Sequence, residues 1–153
     1  MQELKRILLV EDNANDVELI LAALAESYLA NEVVVVPDGE EALDYLYRRG
    51  VFRLRMEGDP VVVLLDLKLP KIDGLEVLAQ LKSDSQLRII PVVVLTSSRK
   101  EQDLISSYNL GVNAYVVKPV DFHEFVDAIK ELGLFWAVVN QPPPGSTRSL
   151  RNS

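Results

Sequence analysis

The sequence contains no cysteine, so disulfide bonds and cysteine metal ligands are both excluded. It has no apolar run of the roughly 18–20 residues needed to cross a bilayer, and its N-terminus lacks the pattern of a signal peptide. Basic residues are outnumbered: 16 lysines and arginines stand against 23 aspartates and glutamates, for a formal net charge of −7. Contacts with phosphates need clustered basic residues. We therefore expect a protein that binds neither nucleic acid nor membranes.

Five strand-like runs alternate with helical patterns along the 153 residues. The runs cover residues 5–10, 32–36, 61–66, 91–96 and 113–117, and helical spacing of apolar residues fills the intervals around 17–24, 39–49, 75–81, 101–110 and 122–132. Asn15 or Asp16 is expected to cap the first helix. This alternation predicts βαβ units and a doubly wound parallel sheet with helices on both faces. Five strands fit the flavodoxin-like order 2-1-3-4-5.

Polar side chains follow four of the predicted strands at the point where each strand ends. The third strand is a continuous apolar run that ends in Asp66, and the first ends in the pair Glu11-Asp12. The fourth ends in Thr96 and the fifth in Lys118. In the order 2-1-3-4-5 the first and third strands flank the switch point of the sheet, where open α/β sheets bind ligands. Both acidic motifs should therefore meet there.

The three carboxylates of Glu11, Asp12 and Asp66 should lie within a few ångströms of one another. Two like charges about 5 Å apart repel by roughly 3 kcal/mol at an effective dielectric near 20. A hard divalent cation relieves this repulsion, and Mg²⁺ suits a site with a few carboxylates and free positions for water and substrate oxygens. The alternative, that the acids only cap the following helices, fits Glu11 and Asp12 but not the whole set.

An acid pair, an acid, a hydroxyl and a lysine at successive strand ends resemble the receiver domain of two-component response regulators, over about residues 5–132. The resemblance implies that Asp66 accepts a phosphoryl group from the phosphohistidine of a cognate histidine kinase, in a Mg²⁺-dependent reaction for which Mn²⁺ can substitute. The protein would then be a phosphoacceptor switch in the cytoplasm, catalysing only its own phosphorylation and dephosphorylation.

The same resemblance assigns a role to each site residue. Asp12 and Asp66 would coordinate the metal directly and Glu11 through water, with the main-chain carbonyl of Lys68 as a further ligand. The remaining assignments are Lys118 and Thr96 as contacts of the phosphoryl group, Tyr115 as the aromatic switch that moves with Thr96, and Pro119 as a cis-proline after the lysine.

The C-terminal part departs from a bare receiver domain. We expect the domain to span residues 1–139, including an extended last helix, and residues 140–153 to form a proline-rich disordered tail without an output domain. The extension contributes apolar residues that we expect in a homodimer interface: Leu134, Phe135, Trp136, Val138 and Val139. This extension and the long loop at residues 50–60 resemble the small response regulators of cyanobacterial phytochrome histidine kinases. A phytochrome-type kinase is then the expected partner, and the downstream protein is not identified.

Other phosphoryl-binding classes fit less well. A haloacid-dehalogenase-like phosphatase needs a second aspartate two residues after the nucleophile, where this chain has Lys68. The glycine-rich loop of a P-loop hydrolase is absent, and so is the hydroxyl-rich loop of a flavodoxin. The remaining alternative is a pseudo-receiver that binds proteins without phosphorylation. The complete set of acids, hydroxyl and lysine argues against it.

Overall fold

The computed structural model describes residues 6–26, 33–56 and 58–131. Its strands are β1 (Ile7–Val10), β2 (Val33–Val36), β3 (Val62–Asp66), β4 (Val92–Thr96) and β5 (Ala114–Val117). Its α-helices are α1 (Ala14–Glu26), α2 (Gly39–Tyr47), α3 (Gly74–Ser83), α4 (Arg99–Ser107) and α5 (Phe122–Glu131). Two short 3₁₀ turns, Gly50–Phe52 and Leu87–Ile89, precede β3 and β4.

The five strands form one parallel sheet in the order β2-β1-β3-β4-β5, which confirms the predicted flavodoxin-like topology. The register pairs Val10 of β1 with Leu65 of β3, and Asp66 with Leu95 of β4. The residues that follow Val10 therefore lie beside Asp66 at the carboxyl edge of the sheet. Strand order and register together place the two acidic motifs next to each other.

The sheet is buried on both faces, which explains why its central strands are continuous apolar runs. Alternate side chains enter two separate cores: Leu8 and Val10 pack beneath α2, α3 and α4, and Ile7 and Leu9 pack beneath α1 and α5. All four of these side chains are fully buried. Removing apolar area of this size from water is the main stabilising contribution to such a fold.

The start of α1 differs from the sequence prediction. The helix begins at Ala14, and the side chain of Asn13 accepts a hydrogen bond of 2.9 Å from the backbone N–H of Asp16. Asn13 is therefore the N-cap, and the prediction that Asn15 or Asp16 caps the helix is wrong. Because Asp16 lies inside the first turn instead, its carboxylate is free to face the carboxyl edge of the sheet.

The second helix ends two residues earlier than predicted, and the loop that follows it is held by specific contacts. The helix stops at Tyr47 rather than at residue 49, because Arg48 adopts a left-handed conformation with φ of 55°. In the loop, the Arg55 guanidinium stacks 4.1 Å from the centre of the buried Tyr45 ring and donates hydrogen bonds to the carbonyls of Tyr45 and Gly58. This stacking fixes the loop against α2.

Residues 132–153 lie outside the described residues. They include the extension of the last helix predicted up to residue 139, the five apolar residues predicted at a dimer interface and the proline-rich tail. Within the described ranges, no helix is both long and apolar enough to cross a membrane.

A glycine at the start of α3 fixes the backbone of the central acid. A Cβ atom at Gly74 would lie 2.2 Å from the carbonyl oxygen of Asp66 and 2.6 Å from Cα of Leu67. We expect Gly74→Ala to lower the free energy of unfolding by about 2 kcal/mol, because neither backbone atom can move without shifting β3. The matched control is Gly111→Ala, whose Cβ would meet nothing within 4 Å and should change stability by less than about 0.5 kcal/mol. Urea unfolding measures both, and equal stabilities would contradict the assignment.

Candidate functional site

The carboxyl ends of β1 and β3 bring together the three acids predicted from the sequence. One carboxylate oxygen from each of Glu11, Asp12 and Asp66 lies within 4.8 Å of the others. Glu11 and Asp66 are buried and Asp12 is exposed. The backbone N–H of Glu11 donates to the carbonyl of Val36, which continues the hydrogen bonding of the sheet beyond β1. The cluster is therefore held by the sheet and open to solvent on one side.

Lys118 reaches the acids from the end of β5. Its Nζ atom lies 3.0 Å from Oδ2 of Asp66 and 3.0 Å from Oε1 of Glu11, and the side chain is only 19% exposed. The backbone N–H of Lys118 donates to the carbonyl of Thr96, which holds the start of the lysine against β4. The Lys118–Pro119 peptide bond is cis. The ammonium thus lies inside the acid cluster rather than at the surface.

Lys118 also contacts a third carboxylate, which was not recognised from the sequence. Oδ2 of Asp16, in the first turn of α1, lies 3.2 Å from Nζ. A cue in the sequence was that Asp16 lies only a few residues after the acid pair Glu11-Asp12, close to the start of α1. The N-cap assignment concealed it, because a capping carboxylate would have been turned toward the backbone.

Burial and charge shift the ionisation of two site residues. Burial of Glu11 raises the pKa of its carboxyl from 4.5 to about 7, the Lys118 ammonium opposes the rise, and the Asp66 carboxylate adds to it. Burial alone would lower the pKa of Lys118, but its contacts with Glu11 and Asp66 outweigh burial and raise that pKa above its usual value. Lys118 therefore remains positively charged, and its single charge is shared by several carboxylates.

The acid cluster fits a hard divalent cation. Its donors are carboxylate oxygens, the ligand type that Mg²⁺ and Mn²⁺ prefer. Oε1 of Glu11 is buried and, among the described residues, accepts no well-aligned hydrogen bond, although Nζ of Lys118 lies close to it. Beside the cluster is an open cavity of about 560 Å³ with a mainly polar lining that includes Asp12, Lys68 and Glu101. Lys68 is exposed there, and its backbone N–H donates to Oδ1 of Asp66 over 3.3 Å.

The remaining two predicted residues lie on β4 and β5. Thr96 is buried, and its hydroxyl accepts a hydrogen bond of 3.1 Å from the N–H of Ser98 and donates to the carboxylate of Glu101. Tyr115 is half-buried against the core beneath α2, α3 and α4. The structure thus gathers Glu11, Asp12, Asp66 and Lys118 in one cluster, and it turns the Thr96 hydroxyl toward α4.

Glu101 was also missed at the sequence level. The available signal is the pattern Ser98-x-x-Glu101, in which a serine N-cap is followed three residues later by a glutamate. That pattern predicts the start of a helix, which is observed at Arg99. It does not predict that the glutamate would contact the hydroxyl of a neighbouring strand.

Comparison with known proteins gives a match over nearly all of the described residues. The family model for the response regulator receiver domain matches residues 7–130. The matched range begins at β1 and ends one residue before the end of α5. It therefore includes every element that contributes to the cluster around Lys118.

Three similar proteins have solved structures. The bacteriophytochrome response regulator RtBRR is 65% identical, with a TM-score of 0.81 over 97% of this chain and 89% of its own. The phosphorylated cyanobacterial phytochrome response regulator RcpA is 46% identical, with a TM-score of 0.72 over 89% of this chain and 96% of its own. Response regulator Rcp1 of Synechocystis sp. is 40% identical over 86% of this chain and 88% of its own. The Mn²⁺-bound structure of Rcp1 gives a TM-score of 0.71.

Removing the lysine should leave the buried acids without their counterion. In buffer free of divalent cations, we expect Lys118→Ala to lower the free energy of unfolding by about 2 kcal/mol, because truncating one partner of a buried ion pair leaves the other charges uncompensated. Lys68→Ala is the matched control, since Lys68 is an exposed lysine at the same edge and should change stability by less than about 0.5 kcal/mol. Chemical unfolding of the two variants tests this, and a fully stable Lys118→Ala protein would refute it.

Proposed function

The chain belongs to the response regulator receiver domain family, which confirms the resemblance seen in the sequence, and from this membership we propose that Asp66 accepts a phosphoryl group from the phosphohistidine of a histidine kinase. The observation that carries the proposal is the position of the Asp66 carboxylate, buried between the acids of β1 and the Lys118 ammonium. An oxygen held in this way can act as a nucleophile toward phosphorus.

In the proposed step, an oxygen of the Asp66 carboxylate attacks the phosphorus of the donor. The new O–P bond forms as the P–N bond to the donor histidine breaks, and the electron pair of that bond stays on the imidazole nitrogen. The protein has little covalent chemistry to perform, because phosphoryl transfer is catalysed mainly by positioning and by neutralising charge on the transferred oxygens. Fixed positions in the sheet supply the first requirement and the surrounding charges supply the second.

We assign the metal to the acid cluster. Asp12 and Asp66 would hold Mg²⁺ directly, Glu11 would act through water and the main-chain carbonyl of Lys68 would complete the protein ligands, with Mn²⁺ as a substitute. Bound there, the cation neutralises charge on the carboxylates and on the phosphoryl group. The convergence of three carboxylate oxygens supports this assignment. The Mn²⁺-bound structure of Rcp1 is a related case.

Lys118 and Thr96 would contact the phosphoryl oxygens. The lysine already touches Oδ2 of Asp66, so a group attached to that carboxylate meets the ammonium without rearrangement of β5. Lys118→Ala should still bind Mg²⁺ and should transmit phosphorylation poorly, because its partner is the phosphoryl group and not the metal. When Thr96 turns toward that group, Tyr115 would move with it and change the surface between α4 and β5.

The proposed kinase is of the phytochrome type, and the proposed location is the cytoplasm. RtBRR and RcpA, which carry phytochrome in their names, align with 97% and 89% of this chain. The downstream protein would recognise the surface that changes on phosphorylation.

Replacing the acceptor should abolish phosphorylation without unfolding the protein. Incubated with Mg²⁺ and acetyl phosphate, the wild-type chain should gain one phosphoryl mass and Asp66→Asn should gain none, because the amide is not a nucleophile of the required strength. Asp103→Asn, an exposed aspartate on α4, is the control and should be labelled like the wild type. Labelling of Asp66→Asn at the wild-type rate would show that another residue is the acceptor and would overturn the proposal.

We also propose that the chain forms a homodimer through the face of α4 and β5 together with the C-terminal extension. Exposed apolar side chains lie on this face: Leu104, Tyr108 and Val117 are 40%, 65% and 53% exposed. The five apolar residues predicted at the interface, from Leu134 to Val139, follow α5 in the sequence. Exposed apolar side chains on one face are typical of an interaction site.

Truncation after residue 132 should separate folding from assembly. We expect the shortened chain to be monomeric in sedimentation and still to accept a phosphoryl group, because every residue assigned to the site precedes the cut. The full-length chain should dimerise, with a dimer affinity that changes on phosphorylation. A truncated chain as dimeric as the full one, or a full chain that is monomeric in both states, would contradict the dimer proposal.

A further inference from the structure

The Thr96 hydroxyl is built into the N-terminal cap of α4. The side chain of Ser98, the N-cap, accepts hydrogen bonds from the backbone N–H groups of Lys100 and Glu101. In an ordinary capping box the glutamate at this spacing would accept the N–H of the cap residue. Here the N–H of Ser98 donates to Oγ1 of Thr96 over 3.1 Å, and the Thr96 hydroxyl donates to the Glu101 carboxylate. The Thr96 hydroxyl of β4 therefore bridges the N–H of Ser98 and the carboxylate of Glu101, two groups that bond directly in an ordinary capping box.

This hydroxyl can serve one acceptor at a time. A threonine hydroxyl carries a single proton, and the acceptors around Thr96 are the Glu101 carboxylate and the carbonyl of Ser98 at 3.1 Å. A phosphoryl oxygen on Asp66 would need the same proton. The contact with Glu101 and the contact with a phosphoryl group are therefore mutually exclusive.

We propose that Glu101 is a positioning residue, which holds the Thr96 hydroxyl away from Asp66 in the unphosphorylated protein and releases the first turn of α4 when phosphorylation withdraws that hydroxyl. The inference rests on the proposed phosphorylation of Asp66. Glu101 also lines the open cavity beside the acid cluster, with Asp12 and Asp73. Its negative charge there opposes the approach of an anionic group. Glu101 therefore acts in two ways: it binds the Thr96 hydroxyl, and it repels the incoming anion.

The packing of α4 allows such a release to spread. Of the α4 side chains that the structure describes, only Ile105 is buried, and Leu104 is 40% exposed. A helix with one buried anchor depends strongly on the hydrogen bonds at its N-terminus. Withdrawal of Thr96 removes a partner from both the Ser98 N–H and the Glu101 carboxylate. The first turn of α4 should then exchange its amide hydrogens faster in the phosphorylated protein.

The test uses beryllofluoride in saturating Mg²⁺ as a stable substitute for the phosphoryl group, with binding to the full chain followed by NMR. Glu101→Ala should bind it about tenfold more tightly than the wild type, the effect expected when a hydrogen bond to a charged acceptor worth about 1.4 kcal/mol no longer competes. Glu101→Gln keeps an acceptor for the hydroxyl but loses the charge, so its affinity should lie between those two.

Asp73→Asn is the control for charge alone. Asp73 lines the same cavity, and its role as N-cap of α3 is one that asparagine fills equally well. We expect at most about a twofold change in beryllofluoride affinity, because an exposed charge is well screened. A double-mutant cycle isolates the hydroxyl: in a Thr96→Ala background, Glu101→Ala should change affinity no more than Asp73→Asn does.

The outcomes separate this inference from the function on which it rests. If the wild-type protein binds no beryllofluoride and takes up no phosphoryl group, the proposed function fails and the role of Glu101 fails with it. If the wild type binds beryllofluoride but Glu101→Ala shifts the affinity no more than Asp73→Asn, only the role of Glu101 is overturned. An undiminished effect of Glu101→Ala in the Thr96→Ala background would also overturn it.

Discussion

One cation holds the carboxyl edge of this sheet together. Nζ of Lys118 lies within 3.2 Å of carboxylate oxygens from Asp66, Glu11 and Asp16, which belong to β3, to the end of β1 and to α1. Without it these acids would repel one another by roughly 3 kcal/mol for each pair at about 5 Å. The ammonium therefore joins the edge strand β5 to the centre of the sheet through charge, at the carboxylate proposed to accept the phosphoryl group.

The same arrangement accounts for the way in which the site is proposed to respond. A receiver must be stable both without and with a doubly charged group at Asp66. Lys118 has three N–H donors and several carboxylates to choose among, so it can give one contact to a phosphoryl oxygen and keep others. The Thr96 hydroxyl has a single proton and must change partner completely. In the proposed switch, Lys118 would accommodate the added charge, and the Thr96 hydroxyl would make the discrete change of partner that α4 and Tyr115 follow.

The fold and the central cluster could be predicted from the sequence because both depend on strands. Apolar runs identified the five strands, and their order placed Glu11, Asp12 and Asp66 together. Helix-borne partners were harder, because the direction of a helical side chain depends on where the helix begins. Because Asn13 caps α1, the Asp16 carboxylate does not cap the helix and contacts Lys118 instead. Glu101 was missed, since nothing in the spacing Ser98-x-x-Glu101 reveals that a hydroxyl from β4 enters the cap.

The dependence of phosphorylation on a divalent cation tests the central claim most directly. Wild-type protein would be incubated with acetyl phosphate in Mg²⁺ or in EDTA, and the added phosphoryl mass followed with time. If the acids at the ends of β1 and β3 form a metal site that neutralises the transferred group, uptake should occur in Mg²⁺ and be lost in EDTA, and Mn²⁺ should restore it. Uptake at the same rate in EDTA would show that Lys118 alone balances the charge, and would contradict the account.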